Sequence, residues 1–167
     1  MVEILVVMAI ILIVAGLILV TSSYVHNKAA RSRAETEIAA MSAALENYKV
    51  DNGVYPVSSA TNALDAQSSS DPGGYQTSST FLFQSLTGDS DLDGQPGPGV
   101  VYLSFKPNQL AGAGANTFTK DPFGNSYGYS TAGQARTVGV GFNPTFDLWS
   151  TAGSNADTGK PGWIKNW

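Results

Sequence analysis

Residues 3–25 read EILVVMAIILIVAGLILVTSSYV, one carboxylate followed by an unbroken uncharged run whose core, 4–20, holds no polar side chain. An apolar run of this length has to be covered by lipid, by protein, or by both. As a helix, residues 4–25 would rise about 33 Å, enough to cross a bilayer. A cleaved signal peptide fits poorly, because no basic stretch precedes the run and no small-x-small site follows it. Lys28, Arg31 and Arg33 come directly after it. Such a basic flank favours the cytoplasmic side, a rule that guides poorly for an export-processed segment.

The helical pattern continues past the apolar run. Ala34, Ile38, Met41, Leu45 and Tyr48 recur at steps of four, three, four and three, a stripe on one helix face. Arg31–Glu35 and Arg33–Glu37 are spaced for i,i+4 ion pairs and Glu46–Lys49 for an i,i+3 pair. No proline occurs before Pro56, and Asn52-Gly53 is a helix stop. One helix is therefore predicted from about residue 3 to Asp51, some 74 Å long. A globular head covers only its later half.

With 167 residues the chain is of one-domain size plus an appendage. Charge divides it: residues 1–50 carry four acids and four bases, whereas 51–167 carry nine Asp against five bases, which accounts for the net −4. A head of that sign is a poor nucleic-acid binder. The chain has no cysteine and a single histidine, His26, so thiol chemistry, disulfides and multi-His metal sites are absent. No Ser-x-x-Lys or phosphate loop occurs, which argues against an enzyme. Ala111-Gly112-Ala113-Gly114-Ala115 lacks the strand and helix context of a dinucleotide loop and reads as a flexible loop.

After the helix, residues 57–80 read as a loop with a short turn. Phe81, Leu82, Phe83 and Leu86 suggest a short helix capped by Ser79 or Thr80 and packed on the Ile38–Tyr48 stripe. Strands are predicted at Val100–Phe105, after a turn at Asp121–Asn125, at Thr137–Phe142 and at Phe146–Ser150. The fold class is α+β: a small, mainly antiparallel sheet covered by the second half of the long helix. The divisions are 1–25 (apolar helix), 26–56 (its amphipathic continuation), 57–99 (variable loop region with a short helix) and 100–167 (sheet and C-terminal loop).

Asp89-Ser90-Asp91-Leu92-Asp93-Gly94 sets carboxylates at the first, third and fifth places of a loop with Gly sixth. This is the opening of an EF-hand-like calcium loop. Its twelfth place is Val100, where a bidentate Glu would be needed, and the alternative is a hydrophilic turn.

The opening Glu-Ile-Leu-Val-Val-Met-Ala-Ile-Ile and the later Tyr48-Lys49-Val50-Asp51-Asn52-Gly53-Val54-Tyr55-Pro56 resemble the type IV pilin superfamily. Asp121-Pro122-Phe123-Gly124-Asn125-x-Tyr127, Phe146-Asp147-Leu148-Trp149-Ser150 and Ile164-Lys165-Asn166-Trp167 are similar to motifs of the major pseudopilin of type II secretion. The resemblance implies a pilin-like fold and a homopolymer. Glu3 would pair with the N-terminal amine of a neighbouring subunit and set its register. Ile4, Leu5, Val6, Val7, Ile10, Ile11, Ile13, Val14 and Leu17 would form the fibre core. A leader cut by a prepilin peptidase, methylation of the new amine and two further mature residues are expected upstream of Met1. Val20 stands where many relatives carry a helix-breaking proline.

The implied partners are minor pseudopilins, an inner-membrane assembly platform and the membrane itself. The implied location is the bacterial inner membrane with a periplasmic head, then an extracytoplasmic filament. Major pseudopilins hold structural calcium in the terminal loop; here Ser150, Asn155 and Asp157 fall at that loop, with Gly162 and Trp163 in place of the later acidic pair. The alternatives are a type IV pilus subunit for adhesion, motility or DNA uptake, and a monomeric membrane-anchored binding domain.

Overall fold

The computed structural model describes residues 2–135, 140–154 and 162–167; within the first helix the side chains of 17–23 are outside this description. Helix α1 runs Val2–Asn52 without a break in its backbone, in agreement with the predicted span. Among the described residues no helix is long and apolar enough to cross a membrane. The apolar run of the sequence includes residues 17–23, so Leu17 lies outside what can be compared.

The predicted stripe is the face that the head covers. Ala34, Ile38, Met41 and Leu45 are buried, Tyr48 half-buried, and Ala44 joins them. Each large side chain buried there contributes about 1.5–3 kcal/mol. Opposite them lie Leu82 and Leu86 of α3 (Gln76–Thr87), Tyr129 of β3 (Gly128–Ser130), Leu148 of β4 (Asp147–Ser150) and Ile164 of β5 (Ile164–Lys165). These three strands form one antiparallel sheet in the order β3-β4-β5, with Gly128 opposite Trp149 and Trp149 opposite Lys165. The architecture is α+β and pilin-like, as the sequence implied.

Several expectations need correction. The stretch 57–80 is structured: α2 (Ser59–Ala63) is held by a capping box at Ser58 and Thr61. A 3₁₀ turn at Pro72–Tyr75, capped by Asp71, leads directly into α3. Ser79 and Thr80 are therefore inside α3, not at its cap; the buried Ser79 hydroxyl instead meets Thr119 O at 3.0 Å. Residues Val100–Phe105 form no strand. The N–H groups of Tyr102 and Leu103 both donate to Leu86 O, so this segment satisfies a helix-end carbonyl in place of a sheet ladder.

The glycine-rich patch is a tight connection between β1 (Leu110–Ala111) and β2 (Phe118–Thr119), a second small antiparallel sheet. Gly112, at φ +81°, has its α-carbon against Asn116 O, where a Cβ would lie at 2.1 Å. Of the strand expected at Thr137–Phe142, residues 137–139 lie outside the description and 140–142 are not strand.

Two of the three expected ion pairs give way to longer-range bonds. Arg33–Glu37 forms at 3.3 Å. Arg31 reaches across to Gly162 O at 2.8 Å, not to Glu35. Glu46 and Lys49 meet through the Tyr55 hydroxyl, which donates to Glu46 at 2.9 Å and accepts from Lys49 at 3.3 Å.

Candidate assembly surface and carboxylate loop

The head stops where the apolar run begins. From Val2 to Gly16 every residue of α1 is exposed. The fractions are 70% for Ile4, 69% for Leu5, 55% for Ile10, 56% for Ile11 and 64% for Ile13, and Val6, Val7 and Val14 are similarly bare. Glu3 lies in the first helical turn, beside unpaired N–H groups. A bare apolar helix of this kind on a folded head is a candidate association surface, since exposed apolar patches far smaller mark contact sites. The helix does not wait for a partner to be oriented, because α1 is continuous into the head.

Three polar latches hold the head on α1. The Tyr127 hydroxyl donates to Glu37 Oε2 at 2.6 Å, and Arg33 holds the other oxygen of that carboxylate. Burial, then the adjoining Glu37 carboxylate, pushes the Tyr127 phenol well above its ordinary range. Tyr102 bridges the helix end, donating to Asp51 Oδ2 and accepting from Asn52, both at 3.1 Å. Arg31 to Gly162 is the third. Sequence reasoning pairs Glu37 with Arg33 and Arg31 with Glu35, both within the helix. The Asp-Pro-aromatic-Gly-Asn-x-Tyr motif was the available pointer to Tyr127 as a partner.

That motif builds its turn on one buried carboxylate. Asp121 Oδ1 accepts from Phe123 N–H (3.0 Å) and Asn125 N–H (2.8 Å), with Gly124 at φ +93°. Its Oδ2 accepts from the Ser150 hydroxyl at 2.5 Å. Burial raises the Asp121 pKa, and these hydrogen bonds oppose the rise. Ser150, proposed from sequence as a calcium ligand, also accepts from Ala152 N–H at 3.0 Å, so its oxygen is committed to this turn. Asn155 and Asp157 lie outside the described residues.

The loop after α3 does gather its acids. One carboxylate oxygen from each of Asp89, Asp91 and Asp93 lies within 4.8 Å of the others. Asp89 is buried, and its two oxygens accept from Asp93 N–H and Gly94 N–H, both at 3.1 Å. Leu92 (φ +61°) and Gly94 (φ +81°) supply the left-handed bends that fold the loop back on Asp89. Asp91 and Asp93 are exposed, and among the described residues no ion pair neutralises the cluster. Hard, anionic oxygens with free lone pairs suit Ca²⁺. Val100 at the twelfth place is 63% exposed and offers no side-chain ligand, so the loop does not close as an EF-hand does.

The family model of type II secretion system protein G matches residues 23–89. It bears out the resemblance to the major pseudopilin across the second half of α1 and the helical region that follows. No curated protein matches the chain.

Proposed function

For a chain whose residues 23–89 match the family model of type II secretion system protein G, we propose a structural role as the repeating subunit of a short periplasmic pseudopilus. The observation that carries this reading is the bare apolar stretch Val2–Gly16 of α1, a helix whose backbone continues without a break into the head. Residues 4–25 anchor the subunit in the inner membrane with the head in the periplasm. The same residues then leave lipid for a bundle of identical helices in the fibre. Head-to-tail contacts that do not close on themselves generate such a filament. The fibre aids passage of folded proteins across the envelope, and the work is supplied by other components.

Glu3 sets the register. A carboxylate withdrawn from water needs a cation, and the N-terminal amine of the neighbouring mature subunit is the available one; the pair specifies position more than it adds net stability. Minor pseudopilins and the inner-membrane platform are the assembly partners, and a prepilin peptidase prepares the amine. We further propose that Asp89, Asp91 and Asp93 hold a structural calcium ion that stiffens the loop between α3 and the Tyr102 segment.

The test is electron microscopy of the protein carrying a prepilin leader, expressed with its assembly machinery. Native Glu3 should give filaments and Glu3→Ala few or none. Native protein that is correctly processed yet forms no filament, with machinery active on another pilin, would refute the polymer. Deleting this subunit should block export; loss of twitching or DNA uptake with export intact would point to a type IV pilus. For calcium, chelation should lower the head's melting temperature, and Asp91→Asn/Asp93→Asn should abolish that dependence.

A further inference from the structure

Asn52-Gly53 is the single Asn-Gly pair in the chain, and it sits at the junction of the long helix and the head. Such pairs are chemically labile because a glycine without Cβ lets its backbone nitrogen swing onto the preceding side-chain carbonyl carbon. Here both reacting groups are tied. Asn52 is the last residue of α1, and its side-chain amide donates to Tyr48 O at 2.9 Å and to the Tyr102 hydroxyl at 3.1 Å. Those bonds hold the side chain back toward the helix N-terminus, away from the following residue. The Gly53 N–H donates to Lys49 O at 2.8 Å. Both residues are solvent-exposed, so water has access.

We propose that Asn52 is a spontaneous deamidation site whose rate is governed by the Tyr102 strap. When the strap lifts, the Gly53 nitrogen loses its proton and attacks Asn52 Cγ. A nitrogen–carbon bond forms, the bond from Cγ to Nδ2 breaks, and ammonia leaves, closing a five-membered imide. Water then adds to one of the two imide carbonyls and opens the ring to an aspartate or an isoaspartate. The net change is one water consumed and one ammonia released.

The product cannot rebuild the junction. A carboxylate at position 52 donates to neither Tyr48 O nor Tyr102, and it adds an anion beside Asp51, which already holds the Tyr102 hydroxyl at 3.1 Å. Tyr102 keeps its ring contact with Tyr48, centroids 5.2 Å apart, but loses one of its polar holds on the helix. The isoaspartate product also lengthens the backbone by one methylene where α1 passes into the head. Ageing would thus loosen the head at its hinge while leaving the stripe at Ala34–Leu45 in place.

The test follows Asn52 by peptide mapping and mass spectrometry in the full-length protein in detergent, held in mildly alkaline buffer, with the same protein in urea as reference. Two hydrogen bonds on the Asn52 amide should slow the folded protein about 30-fold relative to the unfolded chain. Tyr102→Phe removes one of them and should react about fivefold faster than the folded wild type. Asn125-Ser126 should age at one rate in both proteins. Equal Asn52 rates in wild type and Tyr102→Phe would overturn the proposal, as would a folded wild type that ages as fast as the unfolded chain. Should Tyr102→Phe fail to fold by circular dichroism, Asp51→Ala releases the strap from its other end; it too should accelerate the reaction, and an unchanged rate would refute the gating.

Discussion

The sharpest perturbation available is Gly128→Ala. Gly128 faces Trp149 across β3 and β4, and a Cβ there would lie 2.1, 2.3 and 2.6 Å from three atoms of the indole. Ordinary carbon contacts need about 3.5–4.0 Å. The indole has nowhere to retreat: Trp149 is fully buried, with Tyr75 edge-on at 5.1 Å, Trp163 stacked at 6.1 Å and Trp167 edge-on at 5.9 Å. Overpacking of this kind costs about 1–3 kcal/mol and more where neighbours cannot move. The entropic gain of Ala over Gly, about 0.5–1 kcal/mol, offsets a part. A net loss of about 2 kcal/mol is expected, a fall of roughly 4–8 °C in melting temperature for a chain of this size.

Thermal and urea unfolding followed by tryptophan fluorescence would measure it. Gly74→Ala, with nothing within 4 Å of its Cβ and an ordinary backbone, should change the midpoint little. Trp149→Phe should relieve part of the Gly128→Ala penalty, so the double variant would be less destabilised than the sum of the singles. If Gly128→Ala melts with the wild type, Trp149 does not seat on the Gly128 backbone and the packing argument for this sheet fails.

Leu45→Ala, at the centre of the buried stripe, should cost about 2–5 kcal/mol, read as a lower urea midpoint at unchanged slope. Tyr127→Phe and Glu37→Gln should each destabilise by about 1.5–3 kcal/mol, because the hydrogen bond is to a charged group. A double-mutant cycle showing no coupling would remove the latch. Asp121 has its pKa raised by burial, so its contribution is complete below the unfolded value of 3.8 and is lost as pH rises through the folded value. The stability of wild type relative to Asp121→Asn should therefore decline as pH climbs above 3.8. Asp65, whose hydrogen bonds to Ser68, Gln67 and Gly141 outweigh its desolvation, runs the other way; its contribution is lost as pH falls below 3.8. The same comparison with Asp65→Asn should show the opposite slope.

What was legible in the sequence is what periodicity and turn chemistry encode. The long helix announced itself through an uninterrupted 3.6-residue pattern with a glycine stop, and Gly53 does take a left-handed φ of +77° there. The turn at Asp121 and the strand at Phe146–Ser150 were readable because aspartate and glycine in the turn and large apolar side chains in the strand act locally. Val100–Phe105 misled because β-propensity measures side-chain fit to a pleated surface, and the deciding demand came from elsewhere: the open carbonyl of Leu86. Helices α2 and α3 were underestimated for a related reason. Serine and threonine fill both, and their hydroxyls are neutral until a partner such as Thr119 or Thr131 arrives from sequence-distant β structure. The acid loop was legible as a cluster of ligands, but its shape depends on Asp89 being buried, which no spacing reveals.

The two halves of α1 face different problems, and this is what joins the fold to the proposed role. From Ala34 onward each turn is fixed by the head, so helicity there follows from tertiary packing. From Val2 to Gly16 no side chain is covered, and a helix of that length is marginal in water by propensity alone. Ile, Val and Leu dominate that stretch, and β-branched residues are not the ones a free-standing helix would use. Their presence makes sense only where the cover is apolar and the backbone must satisfy its own hydrogen bonds, which holds equally in lipid and in a bundle of identical helices. A transfer between those two settings exchanges one apolar cover for another, so the hydrophobic term nearly cancels. The direction of assembly is then left to polar groups, and along residues 2–16 the only charged side chain is Glu3. For the proposed role, a Glu3→Gln subunit, isosteric but uncharged, should match wild type in membrane fractionation and yet be depleted from filaments when the two are coexpressed. Equal incorporation of both would mean that register is set by the heads.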